Sequence, residues 1–469
     1  MVHVEVVETS ELGDRSYIAH DGVTAVVIDP QRDLDRLEAI LAAKGLMCAV
    51  VMETHVHNDY VTGGYDLARR TGARYVLSAA DEVAFDRHAV HDGDELTAGR
   101  LRIRAVATPG HTDTHLAFLI DAPQDARLEP PVAFTGGSLL YGSVGRTDLV
   151  DPARTEELTR AQFRSARRLA GLLDDDARVF PTHGFGSFCS SGSSSGENSS
   201  TIGQERARND ALTMDDEDAF VARLVAGLTA YPRYYAHMGA RNRQGPGPAD
   251  LSPTQPVEPD ELRKRIAAGQ WVVDLRHRTA YAAEHLAGSV GIALGEQFST
   301  YLGWLIPWGT ALTLIGDSAD QVAGAQRQLV RIGIDRPAGA AVGTPRELAA
   351  GDELRSYQRA TFADLAATTA AATTGAATTG AATTGAGPVV LDVRRDDERA
   401  CGQVPGSVHV PLHSLLERLD EVPDAQLWVH CATGFRASIA TSLLDRGGRE
   451  VVLIDDEYAT AVKIGLATG

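Results

Sequence analysis

Two imidazoles and a carboxylate occupy alternate positions just after a hydrophobic run of the sequence. His55 and His57 follow the apolar segment Cys48–Met52, and Asp59 comes two residues later. Because alternate residues of an extended segment point the same way, we expect His55 and His57 to face one site, with Asp59 nearby on the turn. Imidazole with carboxylate suits zinc or iron(II). A pair of polar turn histidines is the alternative for such a motif alone.

Further histidines follow the ends of later strand-like segments. Leu101–Ala107 leads to His111, and Arg178–Phe180 leads to His183. Open α/β folds place their sites at strand ends, whereas chance would scatter histidines over helices as well. The recurrence therefore favours a metal site over polar turn residues. The candidate metal ligands are His55, His57, Asp59, His111 and His183.

Length and composition restrict the class of protein. A chain of 469 residues predicts about two to four domains, and 43% apolar content with alternating strand-like and helix-like segments predicts a soluble α/β protein. A net charge of −19 disfavours binding to nucleic acid or anionic membranes. No apolar stretch reaches membrane-spanning length, and no signal peptide is apparent. Four cysteines without paired spacing fit a reduced, cytoplasmic compartment.

The C-terminal half contains an internal repeat. After a proline-rich linker that begins at Pro246, the segments Trp271–Arg276 and Val390–Arg394 each give an apolar strand closed by aspartate and arginine. Each block is long enough for a small α/β domain. The sequence therefore predicts three domains, at residues 1–245, 246–350 and 351–469.

The second block places a cysteine at the end of a strand-like segment. Cys431 follows the apolar run Leu427–His430, and a short loop leads from it into the helical segment Ala437–Leu444. Backbone N–H groups and the helix dipole favour a thiolate at such a place, and Arg436 adds a cation. This context predicts a nucleophile, and an inert buried cysteine is the alternative.

The first block lacks these features. Asp317 and Asp320 follow its corresponding strand, and the block contains no cysteine. We expect it to carry no sulfur and to act as a spacer, with the apolar segment Trp304–Trp308 as a candidate contact patch. The repeated Ala-Ala-Thr-Thr-Gly sequence at Ala371–Gly385 is predicted to be an expanded surface loop of the second block.

The N-terminal motifs resemble those of the metallo-β-lactamase superfamily. The resemblance lies in Thr-His-x-His-x-Asp at 54–59, Thr-Pro-Gly-His-Thr at 108–112 and Pro-Thr-His-Gly at 181–184. Within the superfamily, Ala133–Gly136 and Gly145–Leu149 are similar to the branch of persulfide dioxygenases and glyoxalase II. The resemblance implies an αββα sandwich with its metal at one edge of the sheets.

Two positions depart from the superfamily pattern. Tyr60 stands where a ligand of a second metal is usual, and Gly137 replaces a ligating aspartate. The resemblance therefore disfavours a dinuclear zinc hydrolase and implies one iron(II), for which His55 and His111 match the two family histidines. If only the carboxylate is missing, Gly137→Asp is expected to raise iron retention. The substitutes that stay open for this carboxylate are Asp59, Asp113, His57 and water.

The C-terminal blocks resemble the rhodanese family. Cys431 and Arg436 match the loop whose cysteine accepts a sulfane sulfur as a persulfide, and the first block resembles a rhodanese domain without that cysteine. A Cys-x5-Arg phosphatase loop is the alternative, but it needs one more residue before the arginine. The expected fold is α/β: an N-terminal αββα metallo-β-lactamase-like sandwich followed by two rhodanese-like α/β domains.

This order of domains resembles persulfide dioxygenase–sulfurtransferase fusions. The resemblance implies that the metal domain uses oxygen to oxidise a low-molecular-weight thiol persulfide to sulfite, with Arg146 binding the carboxylates of the thiol. Cys431 is then expected to pass sulfane sulfur to sulfite or another acceptor, and a homo-oligomer is left open. Two alternatives remain: a glyoxalase II-like thioester hydrolase with zinc, and a sulfur-carrier or sensing protein whose metal site has decayed.

Overall fold

The chain folds into two compact units. The computed structural model describes residues 1–123, 130–192, 196–379 and 388–469. Among these residues, no helix combines the length and apolar character needed to cross a bilayer. The first unit comprises Met1–Asp250 with Arg327–Asp335, and the second comprises Leu251–Gln326 with Arg336–Gly469.

Two six-stranded sheets form the centre of the first unit. The strands of the first sheet pair in chain order and are β1 (His3–Thr9), β2 (Asp14–His20), β3 (Thr24–Ile28), β4 (Met47–Met52), β5 (Arg74–Ser78) and β6 (His88–Val90). The strands of the second sheet are β7 (Glu95–Ala98), β8 (Leu101–Ala107), β9 (Leu116–Asp121), β10 (Val132–Gly136), β11 (Arg178–Pro181) and β12 (Ser200–Thr201). They also pair in chain order, with β10 and β11 parallel and the other neighbours antiparallel.

Helices cover both outer faces of the sheets. They are α1 (Asp35–Lys44), α2 (Gly64–Thr71), α3 (Thr155–Leu172), α4 (Ile202–Arg208), α5 (Asp210–Thr213), α6 (Glu217–Ala226) and α7 (Tyr235–Arg243), with a 3-10 turn at Pro152–Arg154. One hydrophobic cluster lies between the sheets and contains Val50 and Phe118. A second packs α3 on the second sheet through Phe163, and a third packs α1 on the first sheet through Leu37. This layering confirms the αββα sandwich.

The second unit contains two parallel sheets and a short antiparallel pair. Its strands are β13 (Trp271–Asp274), β14 (His285–Leu286), β15 (Val290–Gly291), β16 (Leu312–Gly316), β17 (Gly339–Val342), β18 (Leu354–Arg355), β19 (Gln358–Ala360), β20 (Val389–Asp392), β21 (Val408–His409), β22 (Leu427–His430) and β23 (Val451–Ile454). The sheets have the orders β15-β13-β16-β17 and β19-β23-β22-β20-β21, and β14 pairs with β18.

The helices of this unit follow the strands of both sheets. They are α8 (Pro259–Ala267), α9 (Arg278–Ala283), α10 (Phe298–Leu305), α11 (Ala319–Arg331), α12 (Pro345–Ala349), α13 (Phe362–Thr379), α14 (Asp396–Ala400), α15 (Phe435–Arg446) and α16 (Tyr458–Lys463). Two 3-10 turns lie at Leu412–Ser414 and Leu419–Glu421. The bounds of α11 extend past the limit between the two units at Gln326.

The same buried ion pair follows one strand of each repeated block, β13 in the first and β20 in the second. Arg276 donates to the carboxylate of Asp274 at 2.6 Å after β13, and Arg394 donates to that of Asp392 at 2.7 Å after β20. Each arginine also donates to a backbone carbonyl further along its own block. The repeat seen in the sequence therefore recurs as a repeated set of contacts, which is compatible with two rhodanese-like domains.

One local prediction is wrong. Ala371–Gly385 is not simply a surface loop, because α13 continues through the first part of the repeat to Thr379. Alanine has the highest intrinsic helix propensity, and here it outweighs the weaker propensities of threonine and glycine. The remainder of the repeat, residues 380–385, lies outside the described residues.

Asp29 joins three parts of the first unit. It follows β3, is fully buried and has a positive φ of 50°. Its carboxylate accepts hydrogen bonds from the Thr54 backbone N–H and the Thr54 hydroxyl, both at 2.7 Å, and from the hydroxyl of Thr182. Thr54 follows β4 and Thr182 follows β11, so one carboxylate ties together the ends of strands from both sheets.

We expect Asp29→Asn to destabilise the first unit by about 3 kcal/mol, because the amide accepts fewer of these buried hydrogen bonds than the charged carboxylate. Asparagine tolerates the left-handed backbone, so strain does not confound the result. Calorimetric unfolding of the full chain measures the loss. The control is Asp121→Asn, which breaks a half-exposed pair with Arg102 and should cost less than about 1 kcal/mol. Equal effects of the two variants would contradict this role for Asp29.

Candidate functional site

Three imidazoles converge beside the strand ends of the first unit. His55 follows β4, His111 follows β8 and His183 follows β11, and all three side chains are buried. One ring nitrogen from each lies within 4.8 Å of the others, and Nε2 of His55 is 3.3 Å from Nε2 of His183. His57 and Asp59 lie at the same place and form a second such group with His183. The structure thus brings all five candidate ligands of the sequence together.

Hydrogen bonds at Nδ1 fix the tautomers of two of these rings. Nδ1 of His55 lies 2.9 Å from the hydroxyl of Thr54, whose own proton goes to Asp29. That hydroxyl therefore accepts from Nδ1–H. Nδ1 of His111 lies 2.7 Å from the carbonyl of Arg146 and donates to it. Nε2 of both rings is left with a lone pair directed at the centre, as metal binding requires.

His183 has a different electrostatic environment. Its Nδ1 lies 2.9 Å from Asp14 Oδ1 and 3.2 Å from Asp59 Oδ2. Burial alone would lower the pKa of His183, but these two carboxylates outweigh it and raise the pKa to about 10. Burial and the neighbouring imidazoles hold the pKa of His55 well below its usual value. In the metal-free protein His183 therefore carries a proton that Nε2 shares with neutral His55.

The ring of His111 fills the space that a side chain at position 137 would need. A Cβ atom at Gly137 would lie 2.3 Å from Cδ2 of His111. Gln162 fixes this arrangement by accepting from the His111 backbone N–H at 2.8 Å and donating to the Gly137 carbonyl at 3.0 Å. This geometry contradicts the expectation that Gly137→Asp would simply restore a ligand. Asp113, another candidate substitute, instead pairs with Arg154 at 2.8 Å on the surface.

His57 points its Nε2 away from the three converging nitrogens. That atom lies 3.2 Å from Glu53 Oε2, 3.3 Å from Asp29 Oδ1 and 3.0 Å from the hydroxyl of Tyr60. Burial lowers the pKa of His57, but the two carboxylates outweigh it and raise the pKa to about 9. Its Nδ1 and Oδ1 of Asp59 are buried and have no hydrogen bond within the described part of the chain, whereas Oδ2 of Asp59 takes part in the ion pair with His183.

These orphaned atoms fit a metal ion. Buried polar atoms in folded proteins are almost always satisfied, and unsatisfied ones indicate an ion or water. Imidazole nitrogens with one carboxylate form a donor set for iron(II) or zinc. The residues present therefore fit a metal centre that draws on His55, His111 and His183, with His57 and Asp59 beside it.

Two residues of the site escaped the sequence analysis. Asn242 of α7 donates from Nδ2 to the carbonyls of His57 and Tyr60, both at 2.8 Å, and so clamps the ligand turn from a distant part of the chain. His115 accepts the backbone N–H of Gly137 at 3.0 Å through Nε2. The position of His115 shortly after His111 in the chain could have indicated that it lies near the site. No local sequence pattern indicates Asn242.

Cys189 and Arg146 lie beside the metal centre in the same buried region. Burial, followed by the charges of Asp59 and Asp14, raises the pKa of the Cys189 thiol well above its usual value, so it is protonated at neutral pH. The guanidinium of Arg146 is almost wholly buried and donates to both oxygens of Asp148, at 2.7 and 2.8 Å. The guanidinium also donates to the backbone carbonyls of Phe188 and Thr229. A role of Arg146 in substrate binding therefore stays a prediction.

The second unit builds a separate site around Cys431. This residue follows β22 directly, is 1% exposed, and its Sγ accepts a hydrogen bond from the backbone N–H of Gly434 at 3.2 Å. Gly434 has φ 87°, and a Cβ atom there would lie 2.5 Å from Oδ1 of Asp455, so the turn requires glycine. Helix α15 begins at the next residue, and its N-terminus favours negative charge on the sulfur.

Arg436 does not face the thiol as an unneutralised cation. Its guanidinium makes two hydrogen bonds to the carboxylate of Glu398, one of them at 2.6 Å. The direct partner of Cys431 Sγ is therefore a neutral backbone N–H. In the first block β16 is followed by Asp317, whose N–H donates to Gln321 at 2.8 Å, and no thiol is present.

Comparisons with known proteins agree with this architecture. The rhodanese-like domain family matches residues 378–460. The mitochondrial persulfide dioxygenase of Homo sapiens is 29% identical over 209 residues, which cover 44% of this chain and 72% of that protein. The hydroxyacylglutathione hydrolase of Acidiphilium cryptum (strain JF-5) is 33% identical over 168 residues, covering 35% of this chain and 62% of that protein.

A solved structure extends the comparison to the fold. The crystal structure of a metallo-beta-lactamase from Staphylococcus aureus superposes with a TM-score of 0.65 at 26% identity, covering 73% of this chain and 99% of that one. The chain is thus an enzyme whose N-terminal region has the metallo-β-lactamase fold and is similar to persulfide dioxygenases, and whose C-terminal region is a rhodanese-like domain.

Proposed function

We propose that this enzyme of sulfur metabolism oxidises a low-molecular-weight thiol persulfide to sulfite at one iron ion and transfers sulfane sulfur through Cys431. The observation that carries the proposal is the convergence of three Nε2 atoms at a place where the His111 ring occupies the space next to Gly137. A donor set of this kind suits one iron better than two bridged zinc ions. Similarity to the persulfide dioxygenase of Homo sapiens gives independent support.

His55, His111 and His183 would hold the iron. When bound, iron(II) supplies open coordination positions for oxygen and for a persulfide sulfur. Asp59 provides the only candidate carboxylate of the sequence that lies against these rings, because Asp113 is engaged at the surface. It therefore takes the electrostatic role of the aspartate that Gly137 replaces.

The chain's own groups orient the site and manage its protons. The hydroxyl of Thr54 and the carbonyl of Arg146 hold two rings in the tautomer that presents Nε2. Oδ1 of Asp14 lies 2.9 Å from Nδ1 of His183 and accepts a hydrogen bond from it, so that the neutral ring is held in the tautomer that presents Nε2 to a metal. Burial of all three rings keeps bulk water from competing with the persulfide.

Sulfur transfer at Cys431 is a displacement between sulfur atoms. The thiolate attacks the outer sulfur of the donor, the S–S bond of the donor breaks, and the thiol or sulfite leaves with the bonding electron pair. The product is a persulfide on Cys431, which an acceptor then attacks to regenerate the thiolate. The Gly434 N–H and the start of α15 stabilise the negative charge in both states.

A zinc-dependent thioester hydrolase is the second candidate. It is favoured by the similarity to the hydroxyacylglutathione hydrolase and by the second donor group of His57, Asp59 and His183. Against it, the hydroxyl of Tyr60 bonds to His57 where a further metal ligand is usual, and Gly137 offers no bridging carboxylate. A sulfur carrier with a decayed metal site is the remaining alternative.

Metal analysis separates these candidates. We expect the full chain to purify with about one iron per chain, and His55→Ala and His111→Ala to lose it, since each removes a converging Nε2. Elemental analysis of gel-filtered protein measures the content. His91→Ala is the control, because this histidine is exposed and far along the chain from the ligands. Two zinc ions per chain would support the thioester hydrolase. A chain that retains no metal would support the sulfur carrier.

A second variant tests how Gly137 shapes the site. Gly137→Ala should displace the His111 ring and weaken iron binding by a factor of about 5 to 150, because overpacking of this kind costs about 1–3 kcal/mol. Chelator competition measures the affinity. Gly171→Ala in α3 is the matched control, since an added Cβ there meets nothing within 4 Å. An unchanged iron affinity of Gly137→Ala would show that the position of the His111 ring does not depend on the absence of a side chain at residue 137.

Sulfur transfer depends on one thiol. Cys431→Ser should abolish transfer from thiosulfate to cyanide and leave the metal content unchanged, because the hydroxyl is a far weaker nucleophile toward sulfur. A colorimetric thiocyanate assay measures the activity. Cys401→Ser removes an exposed thiol of the same unit and should retain it. Wild-type transfer by Cys431→Ser would refute the assignment of the nucleophile.

A further inference from the structure

The cysteine-free block contributes a buried aromatic face to the Cys431 loop. Every residue of α10 is buried, and the ring of Tyr301 contacts that of Phe435, the first residue of α15 after the Cys431 loop, with centroids 5.8 Å apart. One turn further along, Trp304 stacks on His413 of the second block with centroids 5.0 Å apart. The patch that the sequence marks at Trp304–Trp308 therefore begins at the sulfur-transfer site.

Charged groups of the Cys431 site act on the hydroxyl of Tyr301. Burial raises the pKa of Tyr301, the charges of Arg436 and Arg395 lower it, and Glu398 and Cys431 raise it again, with a net increase. All four of these charged groups belong to the second block. The phenol is therefore protonated at neutral pH and can donate a hydrogen bond, and its ring lies against Phe435, the first residue of the helix that follows the Cys431 loop.

The cations of this site are already matched by carboxylates. Arg436 bonds to Glu398 at 2.6 Å, and Arg395 bonds to Asp397 at 2.9 Å. A doubly charged sulfur oxyanion that enters the site consequently meets paired rather than unneutralised arginines. Its oxygen atoms must be recognised largely by neutral N–H and O–H donors.

We propose that Tyr301 is a substrate-binding residue of the sulfur-transfer site, whose hydroxyl donates to the sulfonate oxygens of an oxyanion donor such as thiosulfate. The proposal rests on Cys431 being the nucleophile of that site. The Cys431 thiolate attacks the outer sulfur of thiosulfate, the S–S bond breaks, and sulfite leaves with the electron pair while Tyr301 hydrogen-bonds to its oxygens. The cysteine-free block is thus part of the substrate site as well as a spacer.

The test compares two sulfur donors in the full chain. Tyr301→Phe keeps the ring and removes only the hydroxyl, so it should raise the KM for thiosulfate about tenfold or more and change kcat less than about twofold. The KM for 2-hydroxyethyl persulfide, which has no sulfonate, should be unchanged. Tyr281→Phe is the matched control, since its hydroxyl is buried in the same block but donates to the Ser289 carbonyl.

The outcomes separate this inference from the proposed function. An unchanged KM for thiosulfate in Tyr301→Phe would overturn the role of the hydroxyl, and an equal rise for both donors would show that the residue serves packing alone. A rise of the same size in Tyr281→Phe would likewise overturn it. The assignment of Cys431 as the nucleophile is tested by a different variant, Cys431→Ser. If that assignment were wrong, Cys431→Ser would keep its transfer activity with both donors.

Discussion

The ligand geometry of the first unit depends on the buried carboxylate of Asp29. This carboxylate accepts hydrogen bonds from the backbone N–H and hydroxyl of Thr54 and from the hydroxyl of Thr182. Thr54 immediately precedes His55 in the chain, and Thr182 immediately precedes His183. The same carboxylate lies 3.3 Å from Nε2 of His57. One charge thus sets the positions of ligands that come from both sheets. Burial raises the pKa of this carboxyl, but the charge of His57, followed by the hydrogen bonds from His57, Thr182 and Thr54, outweighs burial and lowers the pKa.

A cluster of buried imidazoles and carboxylates is costly unless its charges are matched. In this protein the match is made by proton placement: His183 is protonated between Asp14 and Asp59, and His55 is neutral. A divalent metal would provide a better match, because it would replace one proton of the cluster with two positive charges. Metal binding should therefore stabilise the first unit by linkage.

Sequence patterns located the reactive groups but not their surroundings. His55, His111 and His183 could be predicted because each follows a strand, and Cys431 because it lies between a strand and a helix. The filling of the space at Gly137 by His111 could not, since it is a packing relation between side chains distant in sequence. The contact of Tyr301 with the Cys431 loop likewise arises only when two blocks pack together. The repeat before Leu391 was predicted to be a surface loop, but α13 extends into it because the high helix propensity of its alanines outweighs the lower propensities of threonine and glycine.

The central claim is that the three converging histidines support oxidation of a persulfide rather than hydrolysis of a thioester. The most direct measurement is oxygen uptake by the iron-loaded full chain with a thiol persulfide, with sulfite quantified in parallel. We expect one molecule of oxygen to be consumed and one sulfite to be formed per persulfide, and no such uptake after removal of the iron by a chelator. Absence of oxygen uptake, together with thioester hydrolysis by the zinc-loaded chain, would contradict it.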